Sequence, residues 1–182
     1  MSRQAQSLGR LARAGFADLA RAAQELEALA SATGVDDEQL LAAFASAGDP
    51  DQALAATRRI TERAPHEAIA VLRQPDSAER MALLLGASRG FADFLARHSA
   101  ELATLQQEPT PPLATGEARA VLVAALDELD PAGAGFSEAA AAAIRVRYRR
   151  LLAAVAVYDL TRPDAIDVVD TIGRGLADLA GA

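Results

Sequence analysis

The chain contains no cysteine, lysine, asparagine or tryptophan. Without cysteine it forms no disulfide, no thiolate metal site and no cysteine nucleophile. Only two histidines are present, His66 and His98, too few for most histidine-based metal centres. Aromatic residues make up 4% of the chain, and the scarcity of strand-favouring side chains argues against a β protein. No apolar run approaches the roughly 20 residues needed to span a bilayer as a helix; Leu151 to Tyr158 is among the longest. Residues Met1 to Leu11 hold no hydrophobic signal core. The net charge is −7 and the isoelectric point about 4.8, a poor balance for binding nucleic acid or an anionic membrane. A soluble, cytoplasmic protein with neither a nucleic-acid nor a membrane partner is the expectation.

What the sequence does have is helix-forming residues. Of its 182 residues, 51% are hydrophobic and 46 are alanine, and all 18 basic residues are arginine. Alanine, leucine, glutamate, arginine and glutamine favour helices, and apolar residues recur at helical spacing along most of the chain. The pattern predicts an all-α fold of about nine or ten helices in an irregular helical lobe, the longest near 137–160, with no sheet. Asp18, Asp36, Asp49-Pro50, Ser88, Ser99 and Ser137 read as helix starts, as do Pro65 and Pro75. Gly34 and Gly48 read as stops, and Gly86 with Ser88 as a break. Gly15 divides the opening segment into a short turn and a longer helix. The long helix is expected to turn Ile144, Tyr148, Leu151, Leu152 and Val155 inward. A last helix starting at Arg162-Pro163-Asp164 is expected to do the same with Ile166, Val169, Ile172 and Leu176. No fixed-period repeat that would support a solenoid is evident.

Pro109, Pro111 and Pro112 fall within ten residues and mark the best internal boundary. The expected organisation is an N-terminal multi-helix subdomain over 1–107, a proline-rich linker over 108–116 and a C-terminal three-helix part over 117–182.

Few residues suggest chemistry. Arg145, Arg147, Arg149 and Arg150 lie within six residues on the long helix, Arg145 with Arg149 and Arg147 with Arg150 sharing faces. Such a row suits phosphate or an acidic partner surface; the acidic balance of the chain favours a solvated face paired with neighbouring carboxylates. Asp127, Glu128 and Asp130, and Asp36, Asp37 and Glu38, form acidic groups best explained by capping and turns. Asp167 and Asp170, spaced i,i+3, fit a polar helix face better than a metal-binding pair. Gly133 and Gly135 precede a helix start without the spacing of a dinucleotide site. Ser88 and His98 form no nucleophile–base set; His98 is expected at the end of its helix and His66 exposed in a first turn. No catalytic or metal-binding residue is assigned.

Two stretches resemble a known family. Leu83-Leu84-Leu85-Gly86-Ala87-Ser88-Arg89-Gly90-Phe91-Ala92-Asp93-Phe94-Leu95-Ala96-Arg97-His98 is similar to the "LLGxSxxLxDFLxRHP" segment of bifunctional glutamine synthetase adenylyltransferase/adenylyl-removing enzymes. Ile144-Arg145-Val146-Arg147-Tyr148-Arg149-Arg150-Leu151-Leu152, continuing to Asp159-Leu160-Thr161, resembles the same family's "LRxxYRRELLRIAxRDLT" helix, in matching order and separation. The opening, Gly9 to Phe16, resembles actinobacterial members. Ser99 stands where the family usually has proline, and Ala153, Ala154, Val157 and Tyr158 replace more polar positions.

The resemblance implies the helical lead-in to the N-terminal, adenylyl-removing half of such an enzyme. That half removes AMP from a tyrosine of glutamine synthetase by phosphorolysis, and the other half attaches it from ATP, controlling nitrogen assimilation. In the family a glycine-rich turn and an Asp-x-Asp strand hold Mg²⁺; neither is found in this sequence. The implied role is non-catalytic: packing against the nucleotidyltransferase sheet of the same polypeptide, with glutamine synthetase a possible partner through the arginine row. Mg²⁺ and ATP or phosphate are implied for the complete enzyme, and no cofactor for this chain. The alternative is a stand-alone helical protein-interaction module without catalytic activity.

Overall fold

A computed structural model describes residues 3–127 and 137–182. Among these it holds ten α-helices, two 3-10 segments and no strand. Contacts divide the chain into two compact units, Met1–Glu108 and Pro109–Ala182.

The N-terminal unit contains α1 (Arg3–Arg13), α2 (Leu19–Thr33), α3 (Asp37–Ala45), α4 (Pro50–Arg63), α5 (Pro65–Leu72), α6 (Pro75–Ala87), α7 (Arg89–Arg97) and a 3-10 segment, Ser99–Gln106. Most starts follow local capping chemistry. The Asp18 carboxylate accepts from the Arg21 N–H, that of Asp36 from Glu38 and Gln39, that of Asp49 from Gln52, and the Ser88 hydroxyl from Phe91. Pro50, Pro65 and Pro75 occupy first-turn positions, where a missing N–H costs nothing. Gly34 ends α2 in the left-handed region, at φ 69°, a conformation that glycine adopts without steric penalty.

Helix α4 lies at the centre of this unit and packs most extensively on α6. Leu54 and Ile60 of α4 and Met81, Leu84 and Leu85 of α6 are fully buried, with Phe44 of α3 and Phe94 of α7 around them. Close approach depends on Gly86: a Cβ there would lie 2.9 Å from the Ala47 Cβ and 3.0 Å from the Asp49 carbonyl oxygen. Arg80, 8% exposed, donates to the carbonyls of Leu105 and Gln107 at 3.2 and 3.1 Å and pairs with Glu108 at 3.2 Å. It thereby satisfies the end of the 3-10 segment.

Several polar ties of this unit share a spacing. Asp51 accepts from the N–H groups of Ala17 and Asp18; Gln39 donates to the Leu72 carbonyl; Ser46 bonds Glu79; Gln52 donates to Leu85 and Gly86; Arg59 pairs with Asp93. Each pair is separated by 33 or 34 residues. The chain path returns beside itself at that interval, although helix lengths do not repeat.

The C-terminal unit contains α8 (Thr115–Asp127), α9 (Glu138–Leu160), a 3-10 segment (Ile166–Val168) and α10 (Val169–Gly181). Among the described residues its buried hydrophobic side chains are mostly alanine and valine: Ala118, Leu122, Ala125, Ala140, Ala153, Val155, Val157, Val168 and Leu179. Among the described residues, the largest fully buried side chains all belong to the N-terminal unit, whereas the exposed large hydrophobics, Val123, Ile166, Val169 and Leu176, all belong to the C-terminal one.

The all-α fold and the long helix from Ser137 to Leu160 match the sequence expectation. Several local expectations are corrected. The opening segment forms a full helix, α1, before Gly15 turns at φ 88°. Helix α3 closes at Ser46 and not at Gly48. Gly86 lies within α6. Ser99, expected as a cap, is the first residue of a 3-10 segment whose N-cap is His98. The helix expected from Gly116 starts one residue earlier, at Thr115. On α9 only Val155 of the expected stripe is buried, the other four being half-buried.

The last helix differs most. Asp164 accepts from the Ile166 N–H at 2.9 Å, and residues 166–168 wind as a 3-10 turn. A 3-10 turn advances about 120° per residue against about 100° in an α-helix, which rotates the face. Ile166 and Val169 are 80% and 60% exposed; the inward line is Val168, half-buried Ile172, Gly175 and Leu179. Gly175 seats directly on the Pro112 ring.

A methyl group at Gly175 overlaps Pro112, so Gly175→Ala is expected to destabilise the protein by about 1–3 kcal/mol. Gly173 has nothing within 4 Å of its Cβ position, and Gly173→Ala is expected to stabilise by about 0.5–1 kcal/mol through helix propensity. Urea unfolding of both variants checks the opposite signs.

Candidate functional site

The expected arginine row lies on α9. The Ser137 hydroxyl accepts from the Ala140 N–H at 3.1 Å and opens the helix. Seven residues make close to two helical turns, so Glu138 and Arg145 share a face and pair at 3.2 Å. Both are largely exposed, and a pair of this kind contributes about 0–1 kcal/mol. Arg149, one turn further on, is also exposed, whereas Arg147 and Arg150 are half-buried. The structure thus brings Arg145 and Arg149 together on a solvent face and sets Arg147 and Arg150 partly into the protein. Arg162 was not singled out from the sequence. Its guanidinium lies 4.4 Å from the centre of the Tyr158 ring, and its Nε donates to the Tyr158 carbonyl at 3.3 Å. The i,i+4 spacing of an aromatic and an arginine across a helix end is the signal that marks such a pair.

A groove of about 460 Å³ opens in the N-terminal unit, lined by Asp18, Arg21, Glu25, Asp51, Gln52 and Arg89 among others. Its polar groups hold helix ends. Asp51 accepts from Ala17 N–H at 2.7 Å, and Asp18 caps α2. The Gln52 amide donates to the last carbonyls of α6, Leu85 at 2.8 Å and Gly86 at 3.2 Å, while its own oxygen accepts from Arg89 Nε at 3.0 Å. Arg21 Nε bonds Glu25 at 2.7 Å. That hydrogen bond, reinforced by the Glu25 charge, raises the Arg21 pKa. The groove is a junction where α2, α4, α6 and α7 meet.

The acidic candidates are likewise engaged or dispersed. Asp36 is turned towards backbone N–H groups, and Glu38 pairs with Arg10 at 3.1 Å. Asp167 and Asp170 are exposed, one in the 3-10 turn and one in the first turn of α10. Among the described residues no three histidine, aspartate or glutamate side chains gather to hold a metal ion, and these carboxylates do not fit a Mg²⁺–nucleotide centre. The Asp127 side chain, Glu128, Asp130, Gly133 and Gly135 lie outside the described residues. His66 is exposed. The His98 N–H bonds the Phe94 carbonyl at 2.9 Å, ending α7, and its ring lies 5.3 Å from that of Phe94. Among the described residues no helix is long and apolar enough to cross a membrane.

The described residues are helical or loop, and the relatives of this chain are much larger proteins. It is similar from end to end to parts of bifunctional glutamine synthetase adenylyltransferase/adenylyl-removing enzymes of actinobacteria. Identity is 40% over 182 residues, the whole chain, with the enzyme of Leifsonia xyli subsp. xyli. It is 32% over 185 residues, 98% of the chain, with that of Streptomyces coelicolor, and 32% over 187 residues, 99% of the chain, with that of Streptomyces avermitilis. The chain spans only 17–18% of the length of these curated relatives. No family model and no solved structure matches it.

Replacing the Gln52 amide by a carboxylate keeps its shape and sets an acceptor against two carbonyls. Gln52→Glu is expected to lose about 1–3 kcal/mol of stability at neutral pH. A thermal melt at neutral pH checks this; an unchanged midpoint would show that the helix ends are satisfied without Gln52.

Proposed function

We propose that this chain is a helical, non-catalytic segment of a glutamine synthetase adenylyltransferase, the N-terminal region of its adenylyl-removing half. The observation that carries the reading is the end-to-end match to enzymes of which the chain spans only 17–18%. In this reading the nucleotidyltransferase sheet, with its Mg²⁺ and phosphate or ATP, belongs to the remainder of the polypeptide. The helical segment supports that sheet and contributes to the surface that meets glutamine synthetase. The engagement of Asp36 and Asp18 in helix capping supports a structural role for these acids. The biological setting is control of nitrogen assimilation by reversible adenylylation of a tyrosine.

Arg145 and Arg149 present two neighbouring guanidinium groups to solvent, a geometry that suits an acidic partner surface. In the full-length enzyme, Arg145→Ala with Arg149→Ala is expected to weaken binding to glutamine synthetase about tenfold, equivalent to roughly 1.4 kcal/mol. The same pair of changes is expected to alter the stability of the chain by less than about 1 kcal/mol, because both side chains are exposed. Calorimetric binding and urea unfolding separate the two effects.

The purified chain is expected to release no AMP from adenylylated glutamine synthetase when inorganic phosphate is added. Release above the enzyme-free rate would overturn the non-catalytic assignment.

A further inference from the structure

The C-terminal unit carries a register that runs past its own last helix. Pro112 lies against Gly175, Thr115 hydrogen-bonds Asp178, and the Arg119 Nε donates to the Ala182 carbonyl at 3.1 Å. Partners are 63 residues apart in both hydrogen-bonded pairs, and Pro112 with Gly175 follows the same offset. Helices α8 and α10 therefore run parallel. Along α8, Thr115, Arg119 and Val123 follow one another at i, i+4 and i+8, on one line of the helix surface. The first two are met by α10. Val123 is next, and it is 48% exposed. The same offset sets Val123 opposite position 186 and half-buried Leu126 opposite position 189. Position 186 is about one helical turn beyond Ala182.

We propose that, in the longer polypeptide, α10 continues as a helix for at least two further turns and seats apolar side chains near positions 186 and 189 on Val123 and Leu126. This deepens the reading of the chain as a segment of a larger enzyme and rests on it. The occupant is the segment directly following Ala182 because the open line is coaxial with α10. A second copy would have to enter that line end-on against α10. The position of Val123 among the exposed large hydrophobics of this unit then has a physical cause: its covering helix lies further along the same chain.

The test uses the absence of cysteine. Val123→Cys is placed in the 182-residue chain and in the polypeptide made from the native gene, and maleimide labelling is followed by mass spectrometry of the peptide containing position 123. Ala124→Cys, exposed on another side of α8, is the control. The expected result is labelling of position 123 at least tenfold slower in the native polypeptide than in the chain, with position 124 equally reactive in both. Equal rates at position 123 in a polypeptide several times larger than 18.9 kDa would overturn the continuation of α10 while leaving the larger-enzyme reading standing. A native product of about 18.9 kDa would overturn both.

Discussion

Short helices are mostly ends, and satisfying those ends is the constraint on which the N-terminal unit depends. Its helices α2 to α7 hold 15, 9, 14, 8, 13 and 9 residues, and every helix leaves up to four N–H and four C=O groups without an intrahelical partner. Local side chains meet much of the N-terminal demand, through Asp18, Asp36, Asp49 and Ser88. Side chains from elsewhere reach further helix ends: Gln39 at the end of α5, Gln52 at the end of α6, Arg80 at the end of the 3-10 segment and Asp51 before α2. These ties bring α4 and α6 into the close contact that buries Leu54, Ile60, Met81 and Leu84. Hydrophobic burial supplies the driving force, and the polar ties select one arrangement of many short pieces.

That division explains what the sequence revealed. Capping is a local event between residues two or three apart, so Asp49-Pro50, Pro65, Pro75, Ser88 and Ser137 were legible as starts. Gln52 and Arg80 act on carbonyls 25 to 34 residues away, and nothing local distinguishes them from surface residues. The inward face of α10 was hidden for another reason. It includes Gly175, which adds nothing to a hydrophobic stripe yet lies so close to Pro112 that a Cβ would overlap the ring. Of the expected stripe Ile166, Val169, Ile172 and Leu176, Ile172 lies on the inward line and the other three are exposed. The arginine row was legible as spacing, but the separation of exposed Arg145 and Arg149 from half-buried Arg147 and Arg150 depends on what packs against α9. Sequence periodicity does not state that.

The two units rest on different materials. Phenylalanine, leucine, isoleucine and methionine fill the N-terminal unit, whereas alanine and valine make up most of the C-terminal core. Burying an alanine removes far less apolar area from water than burying a leucine, so the C-terminal unit gains less from folding per residue ordered. Its exposed large hydrophobics are Val123, Ile166, Val169 and Leu176 among the described residues.

The interval of 33 or 34 residues that joins several of the polar ties also constrains how this sequence can change. Deleting one residue between α3 and α6 would turn Gln39 or Gln52 by about 100° relative to its carbonyl partners. It would also carry Gly86 out of its seat against Ala47 and Asp49. Substitution is tolerated in such a chain more readily than insertion or deletion. The Streptomyces alignments extend over 185 and 187 residues against the 182 of this chain. Changes of length are accommodated most readily outside packed helices, which makes the proline-bearing stretch after Glu108 a natural place for a lineage to gain or lose residues.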